Sequence, residues 1–384
     1  MEIYLDNSAT TRPFAAVRDT MIQTLDEDFG NPSSLHRKGM EAEAYIRQAK
    51  ARIAATLKVE EKEIFFTSGG TEANNLAILG GAAANYRAGR HLITTSIEHP
   101  SVLNPMRHLE EQGYSVTYLP VDRRGQISPE DLAGAMTPGT ILVSVMMVNN
   151  EIGAREPVEE IGKLLKEKWP AVLFHVDAVQ GYGKYRIRPR NAGIDLLSVS
   201  GHKIHGPKGA GFLYVKDKVK IKPILFGGDQ QKGLRSGTEN VPGIAGLGVA
   251  AEAIHKDLEG HNEQMYALRE RFWQGLREIP EVYLNGSAGR EGAPHVISAG
   301  FAGIRSEVLL HALEDKGIYV SSGSACSSHH AGASSTLEAI RLDPKLADCT
   351  LRFSLSMFTT EEETDAALQA LKELVPFLRR FKRR

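Results

Sequence analysis

Apolar runs and helical periodicities alternate along the chain from about Val17 to Leu225. Apolar residues are spaced as on one helix face at Val17, Met21 and Leu25, and again between Tyr45 and Leu57. Short strand-like runs lie between or after the helical segments, at residues 64–67, 92–95, 116–119, 141–146, 172–176, 196–199 and 211–215. This alternation predicts crossover connections and a largely parallel sheet.

The pattern changes in the last third of the chain. A long helical stretch, residues 241–279, follows a glycine-rich loop, and shorter strands are predicted at 296–301 and 350–355. A chain of 384 residues is long enough for two domains. We expect an α/β fold with a large domain over residues 12–258. Residues 1–11 and 259–384 would form a smaller α+β domain.

Composition restricts the classes of function. The 46 basic and 47 acidic residues give a net charge of −1, which argues against a protein that binds nucleic acid over its whole surface. We find neither an apolar run of about 20 residues nor the apolar core of a secretory signal, so we expect a cytoplasmic protein with no membrane contact. Two cysteines, Cys326 and Cys349, cannot form a disulfide framework or a four-cysteine zinc site.

Polar residues and glycines follow the predicted strands, where open α/β sheets bind their ligands. Lys203 closes the run Ser-Gly-His-Lys after residues 196–199. A partly buried lysine is nucleophilic and forms Schiff bases with carbonyl compounds. Gly70 and Thr71 begin a helix after residues 64–67, where free backbone N–H groups bind phosphate, although by itself this motif is more simply an ordinary capped turn.

Asp177 and His99 also follow predicted strands. A carboxylate beside a heteroaromatic nitrogen keeps that nitrogen protonated, and the simpler interpretation of Asp177 is a carboxylate that caps the next turn. His99 can stack on a flat ring or transfer protons, although a single histidine is more often structural. Arg352 is a single charge in an apolar strand, and a substrate carboxylate is one candidate partner for it.

Two loops carry further candidate chemistry. Arg235 and Thr238 lie in a glycine-rich loop suited to phosphate. Cys326 lies among small polar residues at 321–328, which is typical of an exposed loop, and an exposed cytoplasmic thiol is a liability unless it reacts. His329 and His330 follow it, but we find no fourth ligand of comparable spacing and expect no metal.

Together these motifs resemble the cysteine desulfurases, which are class V members of the fold type I pyridoxal 5'-phosphate (PLP) enzymes. The resemblance runs along nearly the whole chain and is carried by residues 4–11, 30–36, 67–72, 98–99, 148–153, 177–180, 200–203, 235–238 and 321–326. It implies a large domain with a mainly parallel seven-stranded sheet. The run Ser-Ser-Gly-Ser-Ala-Cys is similar to that of the group typified by bacterial NifS and IscS.

The resemblance also implies a role for each matching residue. Lys203 forms the Schiff base, Asp177 pairs with the pyridine nitrogen and His99 stacks on the ring. Gln180 and Asn150 lie near the ring hydroxyl, and Asn150 also near the substrate. The phosphate is bound by Gly70, Thr71, Ser200, His202 and Thr238. Thr238 comes from the other subunit, which implies a homodimer. Arg352 binds the substrate carboxylate.

The activity implied is conversion of L-cysteine to L-alanine, with the sulfur held as a persulfide on Cys326. Lys203 removes the Cα proton, and His99 is the candidate for the proton transfers at the substrate thiol. A selenocysteine lyase and a class V aminotransferase are the closest alternatives, and the aminotransferase has no use for Cys326. A non-catalytic sulfur-relay or RNA-binding module would not need Lys203, Asp177 and His99 together.

The sulfur acceptor is the least determined feature. Residues 331–334 read Ala-Gly-Ala-Ser, where many members carry Leu-Glu-Pro-Ser. Residues 227–231 read Gly-Gly-Asp-Gln-Gln, where Gln/His-Glu is more usual, and the C-terminus lacks a scaffold-docking extension. Basic residues at Lys184, Arg186, Arg188 and Arg190, and at 379–384, are either solvated charges or a docking surface for an acceptor. An iron–sulfur scaffold and a tRNA sulfurtransferase are the candidates, serving iron–sulfur cluster, thiamine or thiolated-tRNA synthesis, with no direct nucleic-acid contact expected.

Overall fold

The computed structural model describes residues 2–322 and 334–381. The strands are β1 Ile3–Tyr4, β2 Ile64–Thr67, β3 His91–Thr95, β4 Ser115–Leu119, β5 Thr140–Met146, β6 Leu173–Asp177, β7 Leu196–Ser200, β8 Gly211–Val215, β9 Val282–Asn285, β10 Val296–Phe301, β11 Ile318–Tyr319, β12 Ser321–Ser322 and β13 Thr350–Ser354. The helices are α1 Ala15–Asp26, α2 Arg37–Leu57, α3 Gly70–Asn85, α4 Pro100–Glu111, α5 Pro129–Ala135, α6 Val158–Lys168, α7 Val241–His255, α8 Leu258–Arg277, α9 Ser306–Glu314, α10 Ser335–Ala339, α11 Pro344–Ala347 and α12 Glu361–Arg379.

A seven-stranded sheet forms the centre of the large domain, in the order β2-β8-β7-β6-β5-β3-β4. Strands β4, β3, β5, β6 and β7 run parallel, and β8 is antiparallel to both of its neighbours. The prediction of a mainly parallel seven-stranded sheet is therefore confirmed. Strands β5, β6 and β7 are buried along their whole length, as expected for a sheet covered by helices on both faces.

The predicted helical stretch over residues 241–279 is two helices rather than one. Helix α7 ends at His255 and α8 begins at Leu258. The Asp257 side chain accepts a hydrogen bond from the Gly260 N–H and so caps the start of α8. Periodicity predicted the helical state correctly, but it could not show the break, because both helices continue the apolar pattern.

The rest of the chain builds two smaller sheets. One has the order β12-β13-β10-β9, and the other pairs β1 with β11 in parallel. Ile3 and Leu5 join a separate buried cluster with residues of α8, α9, α12, β10 and β13. Burial of Ile3 and Leu5 in this cluster explains why the N-terminal segment packs against the C-terminal part of the chain. The domain limits at residues 11/12 and 258/259 stay a prediction.

The fold brings several chain segments to one edge of the large sheet. Strand β6 ends at Asp177 and β7 ends at Ser200, while α3 and α4 begin shortly after β2 and β3. Because parallel strands share the direction of their carboxyl ends, the residues after them lie near one another. No helix within residues 2–322 and 334–381 is long and apolar enough to cross a membrane.

Candidate active site

A cavity of about 330 Å³ lies at this edge of the sheet. Among the described residues, it is lined by every predicted site residue except Arg235 and Thr238; these lining residues are Gly70, Thr71, His99, Asn150, Asp177, Gln180, Ser200, His202, Lys203 and Arg352. Its volume falls within the range of small-molecule and cofactor sites. Residues more than 280 positions apart in the sequence, such as Gly70 and Arg352, therefore meet at one cavity.

One end of the cavity is built for an anion. Helix α3 begins at Gly70 and its N-cap residue, Gly69, offers no side chain to the free backbone N–H groups. Gly69 has φ of 151°, which favours glycine. A Cβ atom on Gly70 would lie 2.7 Å from Cγ2 of Val179. Glycine at both positions therefore leaves the positive end of α3 open towards the cavity.

His202 lines the same cavity. Its Nδ1 is 3.3 Å from Oγ1 of Thr10. Burial, together with the charges of Lys203 and Lys208, lowers the pKa of His202 to about 4. His202 is therefore neutral at pH 7 and can donate a hydrogen bond to an anion without carrying a charge into the site.

Asp177 lies at another wall of the cavity, at the end of β6. Its Oδ1 accepts the backbone N–H of Val179 at 2.9 Å, and its Oδ2 accepts Nδ2 of Asn74 at 2.8 Å. Burial raises the pKa of Asp177 above its ordinary value, and those two hydrogen bonds and the positive charge of Lys203 offset only part of that rise. An ionised carboxylate in this position is best satisfied by a further N–H donor from the cavity.

His99 is the N-cap residue of α4, and its ring lines the cavity. Its Nδ1 accepts the backbone N–H of Ser101 at 3.1 Å and lies 2.8 Å from the Ser101 hydroxyl. Burial lowers the pKa of His99, the Asp177 carboxylate opposes that shift and the Lys203 charge adds to it. The ring is therefore held in place by its first nitrogen, in a form that is mostly neutral at pH 7.

Lys203 lies just after β7, in the short turn that follows Ser200. Its Nζ donates to the backbone carbonyl oxygens of Ser8 and Ala9, the latter at 2.8 Å. The N-terminal motif 4–11, whose purpose the sequence did not explain, thus positions the lysine. These two carbonyl oxygens hold the amine at the wall of the cavity.

Gln180 connects the cavity to the small sheet. Its Nε2 donates to the Ser8 carbonyl oxygen at 3.0 Å, and its Oε1 lies 3.1 Å from Nε2 of His295. Burial lowers the pKa of His295 well below its ordinary value, so the ring is neutral and its Nε2–H donates to Gln180. The amide orientation of Gln180 is thereby fixed from both ends.

Arg352 reaches the cavity from β13. Its Nη2 donates to Oδ1 of Asp6 at 2.8 Å, and its Nη1 donates to the backbone carbonyl of Asn150 at 2.9 Å. The Nε atom is buried without a hydrogen-bond partner among the described residues. The predicted substrate arginine is thus already paired with Asp6, and a substrate carboxylate has to share the guanidinium with that residue.

Two predicted residues of the glycine-rich loop lie outside the cavity of their own chain. Arg235 forms a salt bridge with Glu72 at 2.8 Å, so its suggested role in phosphate binding is not supported. Thr238 is exposed and does not line the cavity. Cys326, with its neighbours His329 and His330, lies outside the described residues. In the part of the chain that is described, we find no cluster of three or more residues able to hold a metal ion.

The first predicted basic cluster is not a continuous cationic surface. Lys184 is buried, and burial lowers its pKa to about 8. Arg186 is paired with Glu259, and Arg188 donates to backbone carbonyl oxygens. The last member, Arg190, is paired with Glu60 and Glu63. The basic residues are close together in the sequence, and this suggested a possible charged surface. The sequence could not show the pairing, because the acidic partners lie in distant segments.

Several residues that contact the site were not predicted. Asn74 and Ser101 support Asp177 and His99, while Asp6 and His295 support Arg352 and Gln180. Asn74 lies three residues after Thr71, one helical turn away, so helical spacing offered a signal for it. No local signal marked His295, whose partner is 115 residues away.

The cavity fits PLP. The uncapped start of α3 matches a phosphate, the buried Asp177 carboxylate can accept from a further donor, and Lys203 lines the same cavity. A phosphate, a ring N–H and an aldehyde would each meet the chemistry that the residues present.

The comparisons with known proteins agree with this chemistry. The family described as aminotransferase class-V matches residues 3–367. A curated relative named cysteine desulfurase IscS, from Methanosarcina thermophila, is 45% identical over 377 residues, which cover 98% of this chain and 93% of the relative. Both matches extend over nearly the whole chain, including all the elements that line the cavity.

Solved structures are similar to the whole chain as well. A NifS-like protein superposes with a TM-score of 0.93 at 38% identity, covering 98% of this chain and all of that one. A structure described as SspA in complex with cysteine has a TM-score of 0.82 at 36% identity, covering 93% of this chain and 100% of the other.

The glycine at the start of α3 gives a direct test of the anion end. We expect Gly70→Ala to lower the affinity for PLP about tenfold, because the new methyl group overlaps Val179 and displaces the first turn of α3. Titration of the cofactor-free protein with PLP measures this. Gly134→Ala, in α5 where a Cβ atom meets nothing within 4 Å, is the matched control. Equal affinities of both variants would contradict the assignment of the phosphate end.

Proposed function

The chain belongs to the aminotransferase class-V family as a cysteine desulfurase, and from that premise we propose how its residues release the sulfur of L-cysteine. The enzyme depends on PLP. The observation that carries the proposal is the convergence of Lys203, Asp177, His99 and Arg352 on one cavity. An amine, a buried carboxylate, an imidazole and a guanidinium together match an amino acid substrate and an aldehyde cofactor.

PLP supplies an aldehyde that bonds covalently to amines and an electron-withdrawing ring that stabilises negative charge next to the bound nitrogen. Lys203 would hold it covalently, and Asp177 would accept a hydrogen bond from its pyridine nitrogen. The start of α3, with Ser200 and His202, would bind its phosphate. His99 would lie against the ring, and Gln180 would donate to its hydroxyl group.

Arg352 binds the carboxylate of L-cysteine through N–H groups that Asp6 and Asn150 leave available. Its buried Nε has no partner among the described residues, and such a donor is costly to leave unsatisfied. A substrate carboxylate therefore gains a charge-assisted hydrogen bond. This contact orients the substrate Cα towards Lys203, whose amine removes the Cα proton and returns one during the formation of alanine.

Cys326 receives the sulfur. Its thiolate forms a bond to the substrate sulfur while the bond between that sulfur and Cβ breaks, and the carbon fragment takes up protons to become L-alanine. L-cysteine and the Cys326 thiol thus become L-alanine and a persulfide, with atoms and electrons in balance. The thiolate is the reactive form because the neutral thiol is a weak nucleophile.

The alternative functions are not favoured. A class V aminotransferase has no step that uses Cys326, and a sulfur-relay or RNA-binding module would not need the cavity formed around Lys203 and Asp177. A selenocysteine lyase shares the cavity, but the relative that matches 98% of this chain is named a cysteine desulfurase.

We also propose that the enzyme is a homodimer. Large apolar side chains are exposed from the end of α1 to the start of α2: Leu35 is 97% and Phe29 69% exposed, and Leu25 and Met40 are also exposed. An apolar patch of this kind, here called the 25–40 patch, is typical of an interface. The family resemblance implies that Thr238 reaches the active site from the other subunit. A second subunit bound at the 25–40 patch would be that subunit.

The acceptor is proposed to be a protein that takes the persulfide sulfur of Cys326, in iron–sulfur cluster, thiamine or thiolated-tRNA synthesis. Arg186 and Arg190 are paired with acidic residues outside the 184–190 cluster, which argues against docking through that cluster. In the C-terminal basic run, Arg379 donates to the backbone carbonyls of Ala302, Pro280 and Glu281, so its guanidinium is already engaged by the protein. A cytoplasmic location is proposed because a persulfide-forming thiol requires a reducing compartment.

The two cysteines allow a matched test of the function. We expect Cys326→Ser to bind PLP and L-cysteine normally but to form alanine at least about 100-fold more slowly, because serine is a far weaker nucleophile towards sulfur. Cys349→Ser changes a buried cysteine that directly precedes β13, and this variant should retain the activity. The measurements are alanine release and the visible absorbance change on adding L-cysteine.

The outcomes of this pair separate two errors. Equal activity of both variants would contradict the assignment of Cys326 as sulfur acceptor. Wild-type protein that forms no alanine from L-cysteine would contradict the desulfurase itself.

The dimer is tested by charging the 25–40 patch. We expect the double variant Phe29→Glu, Leu35→Glu to sediment as a monomer and to lose at least about tenfold in alanine formation, since two buried charges are costly and Thr238 of the partner is lost. Tyr283→Glu, at an exposed aromatic residue of β9, is the control. A fully active wild-type monomer in sedimentation velocity would refute the proposal.

A further inference from the structure

A chain of buried hydrogen bonds connects Asp177 to His99 behind the cavity. Asn74 Nδ2 is 2.8 Å from Oδ2 of Asp177 and 2.9 Å from Oγ of Ser101. The Ser101 hydroxyl in turn lies 2.8 Å from Nδ1 of His99. Asn74 is fully buried and Ser101 nearly so. Asn74 and Ser101 therefore join the carboxylate and the imidazole.

The donors of this chain can point in only one direction. Asp177 beside a protonated ring nitrogen is a carboxylate and only accepts, so the amide group of Asn74 must present its NH₂ and not its oxygen. That NH₂ has two hydrogens, one for Asp177 and one for Ser101. The Asn74 Oδ1 is left buried without a hydrogen-bond partner within the described ranges, which is the cost of this orientation.

The direction continues to His99. Because Ser101 Oγ accepts from Asn74, its own hydrogen is free to be donated to His99 Nδ1. The backbone N–H of Ser101 points at the same nitrogen at 3.1 Å. An Nδ1 that faces two donors carries no proton of its own, so the neutral ring has its hydrogen on Nε2.

We infer that Asn74 and Ser101 are positioning residues that hold His99 in the tautomer protonated at Nε2. Nε2 forms no hydrogen bond within residues 2–322 and 334–381, and it is the ring nitrogen left for ligands of the cavity. His99 then acts on bound substrate as a hydrogen-bond donor. Of the proton transfers expected of it at the substrate thiol, it would give a proton from Nε2 and not remove one. This assignment rests on the proposed position of His99 beside the cofactor.

The charges around His99 agree with a neutral ring. Lys203 and Asp177 are the charged groups that face it, and burial outweighs the attraction of Asp177 in lowering its pKa. Protonation at Nδ1 would also turn that nitrogen against the Ser101 N–H. This hydrogen-bond chain from Asp177 through Asn74 and Ser101, here called the relay, thus lets His99 donate a hydrogen bond while its ring carries no charge.

Asn74→Asp is the decisive variant because it has almost the same shape but cannot donate to Ser101. Its carboxyl group lies against Asp177, so the two share one proton, and the oxygen that faces Ser101 has no hydrogen left for it. That oxygen accepts the Ser101 hydroxyl hydrogen, so Ser101 becomes an acceptor for His99 Nδ1–H. We expect histidine side-chain ¹⁵N NMR of the holoenzyme to show the Nε2-protonated tautomer in wild type and a large population protonated at Nδ1 in Asn74→Asp. Absence of the resonance in His99→Gln assigns the signal.

Ser101 gives an independent variant. Ser101→Ala should move the Nδ1 resonance, because the nitrogen loses one of two donors, and should lower kcat about fivefold. Ser101→Thr keeps the hydroxyl and should restore both properties. Ser96→Ala removes a nearby buried hydroxyl that has no partner in the described part of the chain, and it should change neither.

A wild-type His99 protonated at Nδ1 would overturn the inference, and so would identical His99 spectra in wild type, Asn74→Asp and Ser101→Ala. The spectra do not depend on turnover. An enzyme that is active with the wrong tautomer therefore refutes the relay alone, whereas a correct tautomer without alanine formation refutes the proposed function alone.

Discussion

A carboxylate buried at the end of β6 has to be satisfied, and much of the cavity follows from that requirement. Asp177 is surrounded by low-dielectric core on its strand side, and within the described residues it receives two hydrogen bonds, from Val179 and Asn74. Such a group is stable as an anion only with a donor or cation nearby. The same requirement orients Asn74 and, through Ser101, fixes the ring of His99. An acidic side chain that is costly to bury thus sets the positions of groups that do not touch it.

The second organising contact joins the two ends of the chain. Asp6, in the segment after β1, pairs with Arg352 of β13. Ser8 and Ala9 of the same segment accept hydrogen bonds from Lys203, and Ser8 also accepts one from Gln180. The N-terminal segment therefore links Arg352 to Lys203. Strand β1, which precedes this segment, pairs in parallel with β11.

Sequence patterns predicted the large sheet well because every strand of it except the edge strand β4 is buried along its whole length. The run 211–215 was predicted with the limits that β8 has, although periodicity could not show that β8 runs antiparallel to its neighbours. Glycine and polar residues after strands predicted most of the cavity, since a parallel sheet collects them at one edge. The pairing of Arg235 with Glu72 and the burial of Lys184 could not be predicted, because both depend on segments distant in sequence.

The central claim is that Lys203 carries the cofactor in this cavity, and chemical trapping tests it most directly. Purified holoenzyme is reduced with borohydride and digested, and the modified peptide is identified by mass. We predict one cofactor per chain, attached to Lys203, and a Lys203→Ala protein without visible absorbance that forms no alanine from L-cysteine. Attachment to another lysine, or an internal cofactor bond that persists in Lys203→Ala, would contradict the account.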